Sequence, residues 1–254
     1  CGSAGSCAAG GDYQDRRGNQ QGFVAAERNG RWGTAIEVPG LGALNKGGFA
    51  QVNSVSCGSA GNCAAGGDSA AAGVNGYVRG FVVSEKNGVW GQAINVPGLG
   101  ALNTGGGDAF VASVSCPSAG NCAAGGDYGS PYPWGFVVSE KNGVWGRAID
   151  VPGLGALVTG RYADVFSVSC GSPGNCAAGG NYEEMPGGSQ GYVVREKNGV
   201  WGRAIEVLGL GALNKGGSAF VDSVSCAPAG TCAAGGDYQD RRGHSQGFVV
   251  SQTG

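Results

Sequence analysis

Between Phe110 and Cys116 the apolar positions Val114 and Cys116 alternate with Ser113 and Ser115. That period of two predicts a strand with two distinct faces, here called strand a. Ser118-Ala119-Gly120 is a tight turn, and the small-residue run Asn121 to Tyr128 is strand b. Gly135 to Glu140 carries the β-branched and aromatic residues that suit a pleated surface, and is strand c. Lys141-Asn142-Gly143 is a hairpin turn, because Asn-Gly tolerates the positive φ of a two-residue type I′ connection. Strand d follows from Val144 to Val151, and the same turn dipeptide recurs at Asn29, Asn87 and Asn198. No helix is predicted, since Gly and Pro interrupt every apolar run before three turns form.

This unit repeats. Five cysteine pairs recur at intervals of 54 to 59 residues: Cys1 and Cys7, Cys57 and Cys63, Cys116 and Cys122, Cys170 and Cys176, and Cys226 and Cys232. Four antiparallel strands in a tandem unit of this length predict an all-β fold, a β-propeller with one four-stranded blade per repeat. The copies supply strand a four times, b and c five times each, and d four times, or 18 strands where five whole blades need 20. The expectation is a five-bladed propeller with incomplete first and last blades, or a chain that begins inside a longer protein. Residues 1–254 are expected to form one domain, with repeats at about 1–56, 57–115, 116–169, 170–225 and 226–254.

The 55 glycines recur at fixed positions beside aliphatic and aromatic residues, which a disordered linker does not supply. A net charge of −2 with interspersed charges gives no footprint for nucleic acid, and no apolar run is long enough for a membrane span. Each cysteine pair brackets a turn between strands a and b, which argues for five hairpin-stapling disulfides. Zinc is the competing reading. A Cys-x5-Cys pair offers only two ligands and His244 is the only histidine, so no metal or other cofactor is expected. An acylated lipoprotein Cys1 is the other alternative, and it would cost Cys7 its partner. Disulfides imply an oxidising compartment, so the expected location is secreted or extracellular.

The wording SVSCxSAGNCAAGG followed by FVVSEKNGVWGxAIEVPGLGALN resembles the secreted, cysteine-containing propeller repeats common in actinobacteria, over essentially the whole chain. The resemblance implies an extracellular propeller used for recognition. In blade number and symmetry the chain is also similar to the five-bladed tachylectin type of lectin, without a shared binding motif.

Differences among the copies point to one face. The b-to-c connections diverge, as do the d-to-a connections, and both kinds emerge on the side of the disc opposite the cysteine and Asn-Gly turns. Asp12, Asp68, Asp127 and Asp237, with Asn181 in the fourth copy, close strand b. They either bond their own turns or accept sugar hydroxyls. Tyr13, Tyr128, Tyr182 and Tyr238 follow directly, as packing residues or ligand contacts, and Tyr77 lies in the second copy's loop. Tyr132 and Trp134, flanked by prolines, form an aromatic platform found in one copy, while Arg16 and Arg17, and likewise Arg241 and Arg242, recur in the terminal copies. Trp32, Trp90, Trp145 and Trp201 hold one place on strand d and read as packing between blades. Pro97-Gly98-Leu99-Gly100 lacks the Lys-Ser/Thr and helix of a phosphate loop.

Catalysis breaks the symmetry of a propeller, and only Glu183-Glu184, Asp108, Asp164 and Asp222 are irregular carboxylates. The sequence therefore leads to a non-catalytic, multivalent, lectin-like module binding glycans or a cell-surface polymer. The alternative is a protein-interaction subunit of a secreted assembly, with a glycoside hydrolase using Glu183 and Glu184 as the third reading.

Overall fold

The computed structural model describes residues 1–71, 76–186 and 188–252. It is all-β and propeller-like, with one set of antiparallel strands per repeat, the sets of the third and fourth repeats being joined into a single sheet. The third repeat shows the complete unit: strand a is Ala109–Ser118, b is Asn121–Tyr128 and c is Trp134–Lys141. Strand d is split into Val144–Trp145 and Ile149–Asp150, both paired to c. The first repeat lacks strand a, and among the described residues the last lacks strand d.

The Ala-Ala-Gly-Gly run of strand b is dictated by crowding on both of its faces. A Cβ on Gly125 would lie 2.8 Å from Val165 of the next repeat, and one on Gly126 would lie 1.9 Å from the Phe110 carbonyl at a bulge in strand a. The two glycines let neighbouring repeats close on one side and their own strand pair close on the other. Successive a strands are then tied by the Ser-x-Ser motif. The N–H groups of Val114 and Cys116 donate to Ser54 and Ser56 at 2.9 and 3.0 Å, and Ser113 with Ser115, then Ser167 with Ser169, repeat the bonds at the following junctions.

Strands c and d add a second tie. The Ser84 hydroxyl donates to the Glu140 carboxylate at 2.6 Å and accepts the Trp145 indole N–H at 3.0 Å. Ser139, Glu196 and Trp201 repeat it at 2.7 and 3.1 Å. The indoles thus pack between repeats, as their periodicity predicts.

The expectation of no helix requires a correction. One-turn helices occupy Leu41–Leu44, Leu99–Leu102 and Leu210–Leu213, with a 3-10 turn at Leu154–Ala156. Each follows a left-handed glycine, such as Gly98 at φ 81°, that turns the chain inward. The first leucine of each is buried, so Pro-Gly-Leu-Gly is a packing plug.

All five cysteine pairs are disulfides, joining Cys1 to Cys7, Cys57 to Cys63, Cys116 to Cys122, Cys170 to Cys176 and Cys226 to Cys232. No cysteine is free among the described residues. Cys63, Cys122 and Cys176 start their b strands buried, whereas Cys232 in the last repeat is part-exposed. These ten residues staple the scaffold and take no part in the candidate site on the other face. Their turns meet the Asn-Gly turns: the Gly143 N–H donates to the Gly120 carbonyl at 2.8 Å, and Gly61 and Gly174 accept equivalent bonds. Asn29, Asn87, Asn142 and Asn198 have φ of 50 to 53°, as their hairpins require. On the opposite face the d-to-a connections meet the b-to-c loops, with the Gly160 N–H donating to the Glu183 carbonyl. No helix is long and apolar enough to cross a membrane.

Candidate functional site

Strand c of the third repeat meets the fourth repeat's strand a (Ala163–Ser172) in a parallel bridge through Trp134 and Ala163. At this junction the repeat pattern breaks three times. Asp164 stands where the other a strands have Gln51, Phe110 and Phe220. Tyr192 stands where the other c strands have Phe23, Phe81, Phe136 and Phe248. Arg161 lies in the irregular loop that leads into Asp164.

Asp127 completes the group. It lies two residues beyond Gly125 on strand b and so shares the face that looks toward the fourth repeat's Val165 and Val168. Burial pushes its carboxyl up to about 7, with Asp164 the leading charge that adds to the effect and Asp108 and Asp68 behind it. Burial raises Asp164 to about 6. Both side chains retain partial exposure. The fully buried Tyr192 lies beneath, donating its hydroxyl to the Asp164 carbonyl at 3.0 Å, and burial raises its own pKa.

Above the pair is a polar rim. The Arg161 guanidinium lies 4.9 Å from the Tyr132 ring centroid and bonds the Tyr132 hydroxyl, while the Arg161 backbone N–H donates to the Glu183 carboxylate. Arg161 forms no salt bridge among the described residues. Two residues from Asp164, the part-exposed Phe166 ring lies 6.4 Å from that of Phe220. Tyr132 and Arg161 thus meet between the third and fourth repeats, whereas the Phe166 and Phe220 rings meet between the fourth and fifth.

The other expected site residues are dispersed. Asp12, Tyr13, Arg16 and Arg17 lie at the first repeat, and Arg241 and Arg242 at the last. The arginine loops are ordered by Asp15 and Asp240, whose carboxylates accept backbone N–H groups from Arg17 and Asn19, and from Arg242 and His244. Asp68 is fully buried and bonded by Gln51 and Asn53, and Asn181 and Tyr182 are buried as well, so these three belong to the packing. The Tyr128 hydroxyl donates to Asp150 at 2.6 Å, the Asp237 carboxylate accepts from Ser245, and Tyr238 is half-buried. Trp134 packs with Leu157 and Val158 against the core while Tyr132 projects outward, so the two rings do not form a joint platform. Tyr77 is exposed, and its loop includes residues 72–75, which lie outside the described residues. Tyr192 and Arg161 were not anticipated. The signal for Tyr192 was a single Phe-to-Tyr difference among five aligned copies.

Together the strands define an all-β, β-propeller-like protein in which burial raises the carboxyls of Asp127 and Asp164. No described protein family and no curated protein matches the chain. Among solved structures it is similar to a PL25 polysaccharide lyase, an ulvan lyase, at 13% identity and a TM-score of 0.51, covering 99% of this chain and 67% of that one. A more distant likeness is to the α-L-arabinofuranosidase PaAbf62A of Podospora anserina, 8% identical at a TM-score of 0.38, covering 98% of this chain and 87% of that one. Such likeness establishes the shared fold. It also corrects the expectation of a non-catalytic module, because the lyase that shares the fold is an enzyme acting on a polysaccharide. The argument that carboxylates merely repeat from blade to blade overlooked that Asp127 is a repeated residue given a new partner by Asp164.

Proposed function

We propose that the chain acts on an extracellular polysaccharide, cleaving it at the junction of the third and fourth repeats. Asp127 serves as the proton donor toward the leaving oxygen and Asp164 as its charged partner, with Tyr132, Arg161 and Glu183 lining the sugar path. The observation that carries this reading is the coincidence of Asp164 and Tyr192, each unique among the repeats, around the raised carboxyl of Asp127. A carboxyl that stays protonated near neutral pH suits general-acid assistance to a departing alkoxide. Five disulfides support a site of action outside the reducing cytosol. The ulvan lyase named above is bound to a saccharide of glucuronic acid and sulfated rhamnose, and the Arg161 guanidinium, in no salt bridge among the described residues, would suit an anionic sugar of that kind.

The test is incubation with neutral, uronic and sulfated polysaccharides, following both new reducing ends and unsaturated uronate absorbance. Asp127→Asn should lower the rate by roughly a hundred-fold or more while leaving retention on the polymer intact. Absence of products from every polymer, or full activity in both Asp127→Asn and Asp164→Asn, would remove the reading.

A further inference from the structure

One position of strand c faces the following repeat at each inner junction, and it carries Ala26, Ser84, Ser139 and Arg195 in turn. Their register is the same, opposite Ala8, Ala64, Ala123 and Ala177 of strand b. Ser84 and Ser139 each donate to a glutamate of the next repeat and accept an indole N–H from it. Arg195 reaches the Gly230 carbonyl at 3.4 Å. Ala26 has no polar atom to offer, yet the second repeat brings the same glutamate and indole to face it. Glu85 is 4% exposed, with one carboxylate oxygen buried and in no hydrogen bond, and Trp90 is 9% exposed.

A cavity of 420 Å³ lies at this place, with Ala26, Arg28 and Thr34 on the side of the first repeat and Glu85 and Trp90 on that of the second. Its size falls in the range of small-molecule sites. Ala26, Arg28 and Glu85 also line a neighbouring cavity of 370 Å³ among the cysteine and Asn-Gly turns, so the space opens on the stapled face and at a different junction from Asp127. Arg28 fixes one wall by donating to the Gly88 carbonyl at 2.6 Å. Its charge also works against the rise that burial imposes on the Glu85 carboxyl.

We propose that the junction of the first and second repeats is a saccharide-binding site, apart from the Asp127 cleft, that takes a neutral pyranose by one of its hydroxyls. That hydroxyl does what the serine does at the next two junctions: it donates to the Glu85 carboxylate and accepts the Trp90 indole N–H. A buried carboxylate oxygen without a partner is costly, and a ligand hydroxyl that reaches it recovers that cost on binding. Arg28 and Thr34 supply polar groups for the other hydroxyls, while the carboxylate at the centre disfavours an anionic sugar. Such a site would hold the chain on a polymer without cleaving it.

Titration of the chain with the methyl glycosides of glucose, galactose, mannose and rhamnose, followed by NMR of the indole N–H groups, tests this. The Trp90 resonance, identified by its loss in Trp90→Phe, should shift to saturation with at least one glycoside. Ala26→Ser supplies the hydroxyl from the chain itself and should weaken that binding by about ten-fold or more. Glu85→Gln, which keeps the shape of the carboxyl, should weaken it as well. The readout is binding at Trp90, so it stands whether or not the chain cleaves a polymer. A Trp90 resonance that none of the four glycosides moves overturns the proposal, as does binding that both variants leave at full strength.

Discussion

Replacing Asp127 by Asn should stabilise the protein at alkaline pH and leave it unchanged in acid. Its carboxyl is pushed up to about 7 by burial and by the neighbouring Asp164, against an ordinary value near 3.8. The folded state therefore holds this proton more tightly than the unfolded chain, and ionising it works against folding. The penalty is complete above about pH 7, shrinks as pH falls, and is gone below about 4. A displacement of roughly three pK units corresponds to about 4 kcal/mol if fully expressed. Partial exposure and coupling to Asp164 reduce the expected figure to about 2 kcal/mol. Asn keeps the shape and polarity of the protonated acid and cannot ionise. Urea unfolding of both proteins at pH 8 and pH 5 gives a double difference in which the other titrating groups cancel. Asp127→Asn should be about 2 kcal/mol more stable than wild type at pH 8, with most of that gain lost at pH 5. An equal gain at both values, or a loss at pH 8, would refute the placement of Asp127 in a poorly solvated pair.

Other perturbations address the scaffold. Ser139→Ala removes the donor to Glu196 and the acceptor for Trp201, leaving a buried carboxylate without its partner. Urea unfolding should show a loss of about 2 kcal/mol. Ala26 occupies the serine position at the first junction, where a Glu85 carboxylate oxygen is buried without a partner and Trp90 packs nearby. Ala26→Ser should raise stability by about 1 kcal/mol, and an unchanged unfolding midpoint would count against the shared junction pattern. Reduction of the five disulfides, each closing a short loop worth about 2 kcal/mol, should lower Tm markedly, whereas a chelator should leave it unchanged.

Much of the fold was legible because the copies explain one another. Strand b of the third repeat runs Asn121–Tyr128, as its composition predicts, and the Asn-Gly turns adopt the positive φ that their sequence demands. Strand d was harder to read. Its two short pieces flank Gly146-Arg147-Ala148, and their pairings sit on opposite ends of strand c, with the Ala148 N–H donating to the Pro97 carbonyl of the neighbouring repeat. The site was legible in fragments. Asp164 stood out as an irregular carboxylate, while Asp127 looked like one of several equivalent strand ends. Only folding distinguishes it from Asp68, which is buried among amide donors. Tyr132 and Trp134 seemed to act together because they are two residues apart, yet the backbone turns between them and sends one ring outward and the other into the core.

The location of the cleft follows from the same construction that makes the scaffold uniform. The serine ties, the paired glycines and the disulfides all lie toward the stapled face or between repeats, so substitutions there affect every contact with the next repeat. The starts of the a strands and the b-to-c loops do not carry those ties, and there the copies diverge without breaking the stack. At the third-to-fourth junction the loop Ser130 to Trp134 brings strand c alongside Ala163, placing Arg161 and Glu183 together at its rim. In register, position 164 lies across from Asn181 of its own strand pair, just as Gln51 lies across from Asp68, to which it donates. Among the described residues Asp127 accepts from no such amide donor, and with Asp164 as the leading nearby charge its buried carboxyl rises to about 7.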